Sequence, residues 1–201
     1  MARWEPNTRG RLLQAAVELF AERGYDATTA AEIADRANVT RTTLFRHFAD
    51  KREILFQGQD ELVALALDGV RSAPPQSTPF RILRAGILPL CAVHTEDRRE
   101  IRQRLASIIP ASLELRERAA FKRSAVTDAL HGALTARLGD ARQAGTLADV
   151  GVRAYYDGYT AWIDSDEREP LTDVVGAELE AAESALVRLA FSTLAATAPR
   201  G

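Results

Sequence analysis

Cysteine is almost missing: Cys91 is the only one in 201 residues. An intramolecular disulfide is therefore excluded, and so is a zinc site built on cysteines. Uncharged apolar runs of membrane-spanning length are also absent. The first residues, Met1 to Gly10, are polar, with no apolar stretch of signal-peptide type. The expected location is the cytoplasm, with no membrane partner. Global basicity is lacking too, since the formal net charge is -2. A partner of high negative charge would have to be met by local charge instead. No nucleophile motif, glycine-rich phosphate loop or metal-ligand cluster is visible, so no catalysis, cofactor or metal is expected. The three histidines, His47, His94 and His131, fall on different expected helices.

What is present is helical. Hydrophobic residues make up 46% and charged residues 27%, a globular balance. Apolar residues recur at three- and four-residue steps nearly throughout, and no alternating strand pattern appears. The expected fold class is all-α. A first helix is expected over Thr8 to Arg23, stopped by Gly24. A second runs from Thr29 to Ala37, opened by the capping-box pair Thr29 and Glu32. Asn38 and Val39 form a very short turn, and a third helix runs from Thr40 to Phe48. Asp50 with Glu53 reads as another capping box, opening a fourth helix to Val70. The proline-rich stretch from Ser72 to Pro79 is the clearest break. Beyond it, helices are expected over Phe80–His94, kinked by Pro89, then Glu96–Ile109, Ala111–Leu138, Leu147–Asp164 and Leu171–Ala196.

Two short helices joined by a tight turn and braced by a preceding helix form a helix-turn-helix layout. At about 100° per residue, setting Leu44 inward places Phe48 on the same side and Arg41 and His47 at the flanks. Thr42 and Arg46 then point furthest out, with Thr43 and Phe45 beside them. Such a ridge suits base edges, thymine methyls and phosphates. From Arg36 to Arg52 there are five basic residues against Asp50 alone, a balance of +4. From Asp164 to Glu183 there are eight acids against Arg168 alone, a balance of -7. The asymmetry places a polyanion at the N-terminal end. Three small packed helices with a solvated basic face would give the same pattern.

The stretch from Thr28 to Leu55, with the preceding Phe20-Ala-Glu-Arg-Gly-Tyr25, resembles the DNA-binding signature of the TetR family of bacterial regulators. Matching positions include Ile33, Ala34, Ala37, Val39, Thr40, Phe45, His47, Phe48, Lys51 and Leu55. The resemblance implies a helix-turn-helix domain over 1–55 and a helical ligand-binding and dimerisation domain over 56–201. It implies a homodimer that grips a palindromic double-stranded operator and releases it when a small-molecule effector binds. The expected DNA-binding residues are Thr29, Thr40, Arg41, Thr42, Thr43, Phe45, Arg46, His47 and Lys51. Within that set, Arg41, Thr42, Thr43 and Arg46 would read bases, and Thr40, His47 and Lys51 would hold phosphates. Three departures stand out. Asn38 replaces the usual turn glycine, Phe45 replaces a tyrosine and its hydroxyl, and Ala30 with Ala31 leave the second helix without long polar groups.

In the C-terminal part, Leu171, Val175, Leu179, Ala182, Leu186, Leu189 and Thr193 form a long seam. It packs either inside its own domain or, with the helix around Tyr155 to Ile163, across a dimer. Candidate effector-lining residues are Leu88, Cys91, Ile109, Phe121, Tyr155, Tyr159 and Trp162, although apolar and aromatic residues at helical spacing are usually plain core. Two other functions stay open on the residues alone: a helical-bundle enzyme with an added N-terminal module, and a DNA-binding protein that answers to no ligand.

Overall fold

A computed structural model describes residues 7–196; residues 1–6 and 197–201 lie outside it, as do the side chains of Asp97 and residues 191–196. The elements in order are α1 (Thr8–Arg23), α2 (Ala30–Arg36), α3 (Arg41–His47), α4 (Gln59–Ser72) and α5 (Pro79–Ile87). Two 3-10 segments follow, Leu88–Val93 and Glu96–Arg98. Then come α6 (Arg99–Ala111), α7 (Leu113–Leu138), α8 (Ala141–Asp164) and α9 (Leu171–Ala196). No strand occurs among the described residues, so the all-α expectation holds.

The chain forms two compact units. The first takes residues 1–59 and returns for 95–123; the second takes 60–94 and 124–201. This differs from a simple cut at residue 55. The first unit's core is built by Leu12, Leu19 and Phe20 of α1, Ile33 of α2 and Leu44 of α3. Leu105 and Ile108 of α6 and Leu115 of α7 complete it. The apolar positions of α6 reveal that one face is buried, but periodicity does not name the partner.

Local signals explain the first three helices. Gly24 ends α1 at φ 86°, a conformation that glycine takes cheaply, and its N–H reaches the Phe20 carbonyl at 2.9 Å. Thr29 and Glu32 form the expected reciprocal capping box of α2. Asn38 sits at φ 52°, left-handed, which asparagine tolerates better than most residues. Thr40 caps α3, its hydroxyl accepting from the Thr43 N–H at 3.0 Å.

The fourth helix departs from expectation. Asp50 does accept from the N–H groups of Arg52 and Glu53, at 2.8 and 3.1 Å. The Glu53 carboxylate, however, does not fold back to close a capping box. It is drawn to Arg118 and Lys122 of α7, with Lys122 Nζ at 3.2 Å. Residues 51–58 therefore stay in turns, Gly58 adopts φ 85°, and α4 starts only at Gln59. Pro89 acts as expected: α5 stops at Ile87 and the backbone tightens into the 3-10 segment. Pro110 sits inside the last turn of α6 rather than after it. α8 starts at Ala141, earlier than periodicity suggests, because the Asp140 carboxylate accepts from the N–H groups of Arg142 and Gln143.

The second unit's core joins Val70, Leu83, Ile87, Leu90, Leu130, Leu134, Val152, Trp162, Val175 and Leu179. Leu171, Val175 and Leu179 of the α9 seam are buried, Ala182 and Leu186 are half-buried, and Leu189 is exposed. The Thr193 side chain lies outside the described residues. No described helix is long and apolar enough to cross a membrane.

Candidate nucleic-acid interface

Helix α3 is held from both ends and from beneath. Thr40 caps its start, fully buried Leu44 anchors its middle, and buried Phe48 follows its last residue. The rotation expected from sequence is the one observed. Arg41, Thr42, Phe45 and Arg46 are exposed and line one shallow surface depression. The Arg41 guanidinium lies 5.4 Å from the Phe45 ring centroid. That stacking orders a guanidinium without neutralising it.

The other expected contact residues have internal roles. The Thr29 hydroxyl serves the α2 capping box, and the Thr40 hydroxyl serves the Thr43 N–H and lies 2.9 Å from the Thr43 hydroxyl. The His47 carbonyl accepts from Arg9 Nη2 at 3.4 Å. Lys51 Nζ donates to the carbonyls of Tyr25 and Thr28 at 2.8 and 2.9 Å and lies 3.9 Å from the Tyr25 ring centroid. Lys51 thus ties the α1–α2 connection to the stretch after α3, leaving one ammonium hydrogen for another acceptor.

Electrostatics narrows the basic stretch. Arg36 is paired with Glu22 at 2.9 Å and Glu18 at 3.4 Å on α1, and the Arg36 hydrogen bond holds the Glu22 carboxyl below its usual range. Arg52 is paired with Asp50 and Glu114. Burial opposes ionisation of Asp50, but the Arg52 guanidinium and the local N–H groups outweigh it and keep the carboxyl below the ordinary value. Of the five basic residues counted there, Arg41 and Arg46 alone make no ion pair or internal hydrogen bond among the described residues. Both sit on the ridge. Arg9 also reaches the end of α3, and only its place in the polar N-terminal stretch hinted at that.

The effector candidates divide between the units. Leu88, Cys91, Tyr155, Tyr159 and Trp162 come together in the second unit. His94 joins them: its Nε2 lies 2.6 Å from the Tyr155 hydroxyl, and its ring centroid is 4.7 Å from that of Tyr159. Burial pushes the Cys91 thiol up to about 12, so it stays protonated near neutrality. Ile109 and Phe121 belong to the first unit instead. Ile109 packs on that unit's core, and Phe121 is exposed beside Arg118, its ring centroid 5.0 Å from the guanidinium. Helical pattern alone cannot tell which core a face joins. A groove of about 510 Å³ between α4 and α7, unremarked in the sequence, is lined by Leu67, Val70, Arg71, Ala133, Ala136 and Arg137.

Residues 12–57 match the family model described as bacterial regulatory proteins, tetR family. This chain carries a tetR-family N-terminal domain. The matched stretch holds most of α1 and all of α2 and α3, with the Arg46 ridge in it. The chain is 42% identical over 80 residues to the HTH-type transcriptional activator FasR of Mycolicibacterium smegmatis, covering 39% of this chain and 36% of that protein. It is 47% identical over 60 residues to the HTH-type transcriptional repressor KstR2 of Mycobacterium tuberculosis, covering 30% and 28%. The chain therefore matches only about a third of the length of these relatives. Whole-chain similarity appears in the fold. FadR of Bacillus subtilis, solved with stearoyl-CoA, aligns over 86% of this chain and 96% of its own at 21% identity and TM-score 0.57. FadR of Thermus thermophilus, a TetR-family repressor solved with lauroyl-CoA, aligns over 87% and 92% at 24% identity and TM-score 0.53.

Proposed function

We propose that this chain is a DNA-binding transcriptional regulator, a repressor that leaves a palindromic operator when a small molecule binds its second unit. The observation that carries the reading is the α3 ridge. Its two unneutralised guanidiniums stand on a helix fixed by a cap and a buried leucine, inside a tetR-family domain. Reading a palindrome takes two such ridges, about 34–36 Å apart, hence a homodimer. Exposed Val187 and Leu189 on α9 support a partner copy there. The work takes place where the DNA is, in the cytoplasm.

The α4–α7 groove supports the choice of effector class. Its lining is aliphatic apart from Arg137 and Arg71, the latter ion-paired with Asp68. Arg137 Nη2 donates to the carbonyls of Ala73 and Pro74 at 3.0 and 2.9 Å, which fixes the guanidinium in place. Such a site suits an apolar tail with an anionic head, the chemistry of the acyl-CoA ligands seen in the two FadR structures. Binding shifts the population toward a dimer whose ridges are wrongly spaced, and a coupling of about 1–3 kcal/mol suffices for useful induction. The test is fluorescence anisotropy on a palindromic operator, with and without long-chain acyl-CoA. A five-fold or greater loss of DNA affinity supports the reading; equal affinity with a ligand shown to bind refutes the mechanism.

A further inference from the structure

We propose that the first unit holds a second small-molecule site, for a compact phosphate-bearing anion, in the cavity between the start of α1 and α6. The cavity measures about 560 Å³, within the range of small-molecule sites. Arg9, Arg11, Arg98 and Arg104 line it, against Glu100 as the one acid. This convergence occurs in a chain whose formal net charge is negative. Arg104 is neutralised by Glu100 at 2.7 Å. Arg9 and Arg98 make no ion pair among the described residues, so the recess keeps a surplus of positive charge. Guanidiniums sharing one space repel each other unless an anion enters between them.

Two further details favour phosphate. Arg9 gives its Nη2 hydrogen to the His47 carbonyl at a long 3.4 Å, and its guanidinium lies 5.4 Å from the Phe48 ring centroid. A phosphate oxygen offers a shorter bond of roughly twice the strength, and the planar guanidinium fork matches it. Asn7 makes no side-chain cap to α1, and the first turn of α1 holds no acid, so the helix itself carries nothing that offsets its positive end. The recess itself favours a free anion over a DNA phosphodiester. A duplex backbone lies across a surface and needs no cavity of this size. An anion that takes Arg9 frees the carbonyl of the last residue of α3, so the reading helix senses occupancy. This site is independent of the α4–α7 groove.

The test is isothermal titration of the full chain with pyrophosphate, beside the double variant Arg98→Gln/Arg104→Gln and the single variant Glu100→Gln. Arg98 and Arg104 are both exposed, so an unchanged thermal midpoint should certify folding. One-to-one saturable binding is expected, weakened at least ten-fold in the double variant and tightened several-fold in Glu100→Gln. Affinity of the double variant for operator and random duplex, measured without pyrophosphate, should stay within two-fold of the parent. No saturable binding, or binding indifferent to these substitutions, overturns the proposal. Pyrophosphate binding lost together with affinity for random duplex also overturns it, because the arginines then serve the DNA backbone.

Discussion

Arg46 and Lys51 lie five positions apart and have opposite situations. Arg46 is exposed and unneutralised, so its replacement should leave the fold alone. Arg46→Ala is expected to weaken binding to the specific operator by about 1–3 kcal/mol, with a smaller loss on random duplex, in paired titrations. An equal loss on both would make it a backbone contact. Lys51 donates to two carbonyls from a half-buried position. Lys51→Ala should lower the unfolding free energy by about 2–3 kcal/mol in urea titration, since charged hydrogen bonds are lost and acceptors left bare. Any DNA effect of that substitution should be uniform across sequences, with a shallower salt slope. The family resemblance points to Lys51 as a phosphate contact; the structure adds an internal tie that no pattern in the chain announces, because Tyr25 and Thr28 become its neighbours only through folding.

At the scale of elements, the 51–58 connection depends on Glu53. Burial opposes its ionisation, yet Arg118 and Lys122 outweigh that and hold its carboxyl below the ordinary value of 4.5. A lowered folded-state value adds stability that is complete above the unfolded-state value and is lost as pH falls through the folded one. Stability should therefore decline as pH drops below about 4.5, and Glu53→Gln should flatten that decline in acid-titrated urea midpoints. The helices α4 and α5 cross so closely that a Cβ on Gly69 would stand 2.0 Å from the Ala85 carbonyl oxygen. The obstacle is backbone, so Gly69→Ala should cost about 1–3 kcal/mol of stability by forcing the helices apart, measurable by thermal or urea unfolding. Some of this was readable beforehand. The caps Thr29, Glu32 and Thr40 act within three residues, so their pattern suffices. Gly24 and Pro89 restrict their own backbone, and they ended helices as expected. Apart from the Asp140 cap of α8, which acts within three residues, the failures are distant pairings. Glu53 answers to α7, the α6 face answers to α1, and the groove takes its lining from both α4 and α7.

For the whole molecule, the acid-rich segment beginning at Asp164 and the ridge at Arg46 mark opposite signs within one chain of small net charge. The N-terminal resemblance and the all-helical character were open to inspection, whereas the division into units was not. A proposed homodimer through α9 predicts that Val187→Glu shifts sedimentation equilibrium toward monomer and lowers operator affinity, while leaving the helical signal intact. A dimer unmoved by this change would place the interface elsewhere.

The order of the chain sets a timetable for its synthesis. Leu105, Ile108 and Leu115, which complete the first unit's core, belong to the part that returns at 95–123. A nascent chain that has released Gln59 must still emit fifty-six residues to reach Leu115, the last of these core residues. At ordinary translation speeds this is a delay of about 3–11 s. Throughout it, Leu12, Leu19 and Ile33 lack part of their cover, and the newborn reading helix has no finished platform. A ribosome stalled before residue 105 therefore holds an incomplete gripping unit, and a polypeptide cut at residue 59 would inherit the same defect.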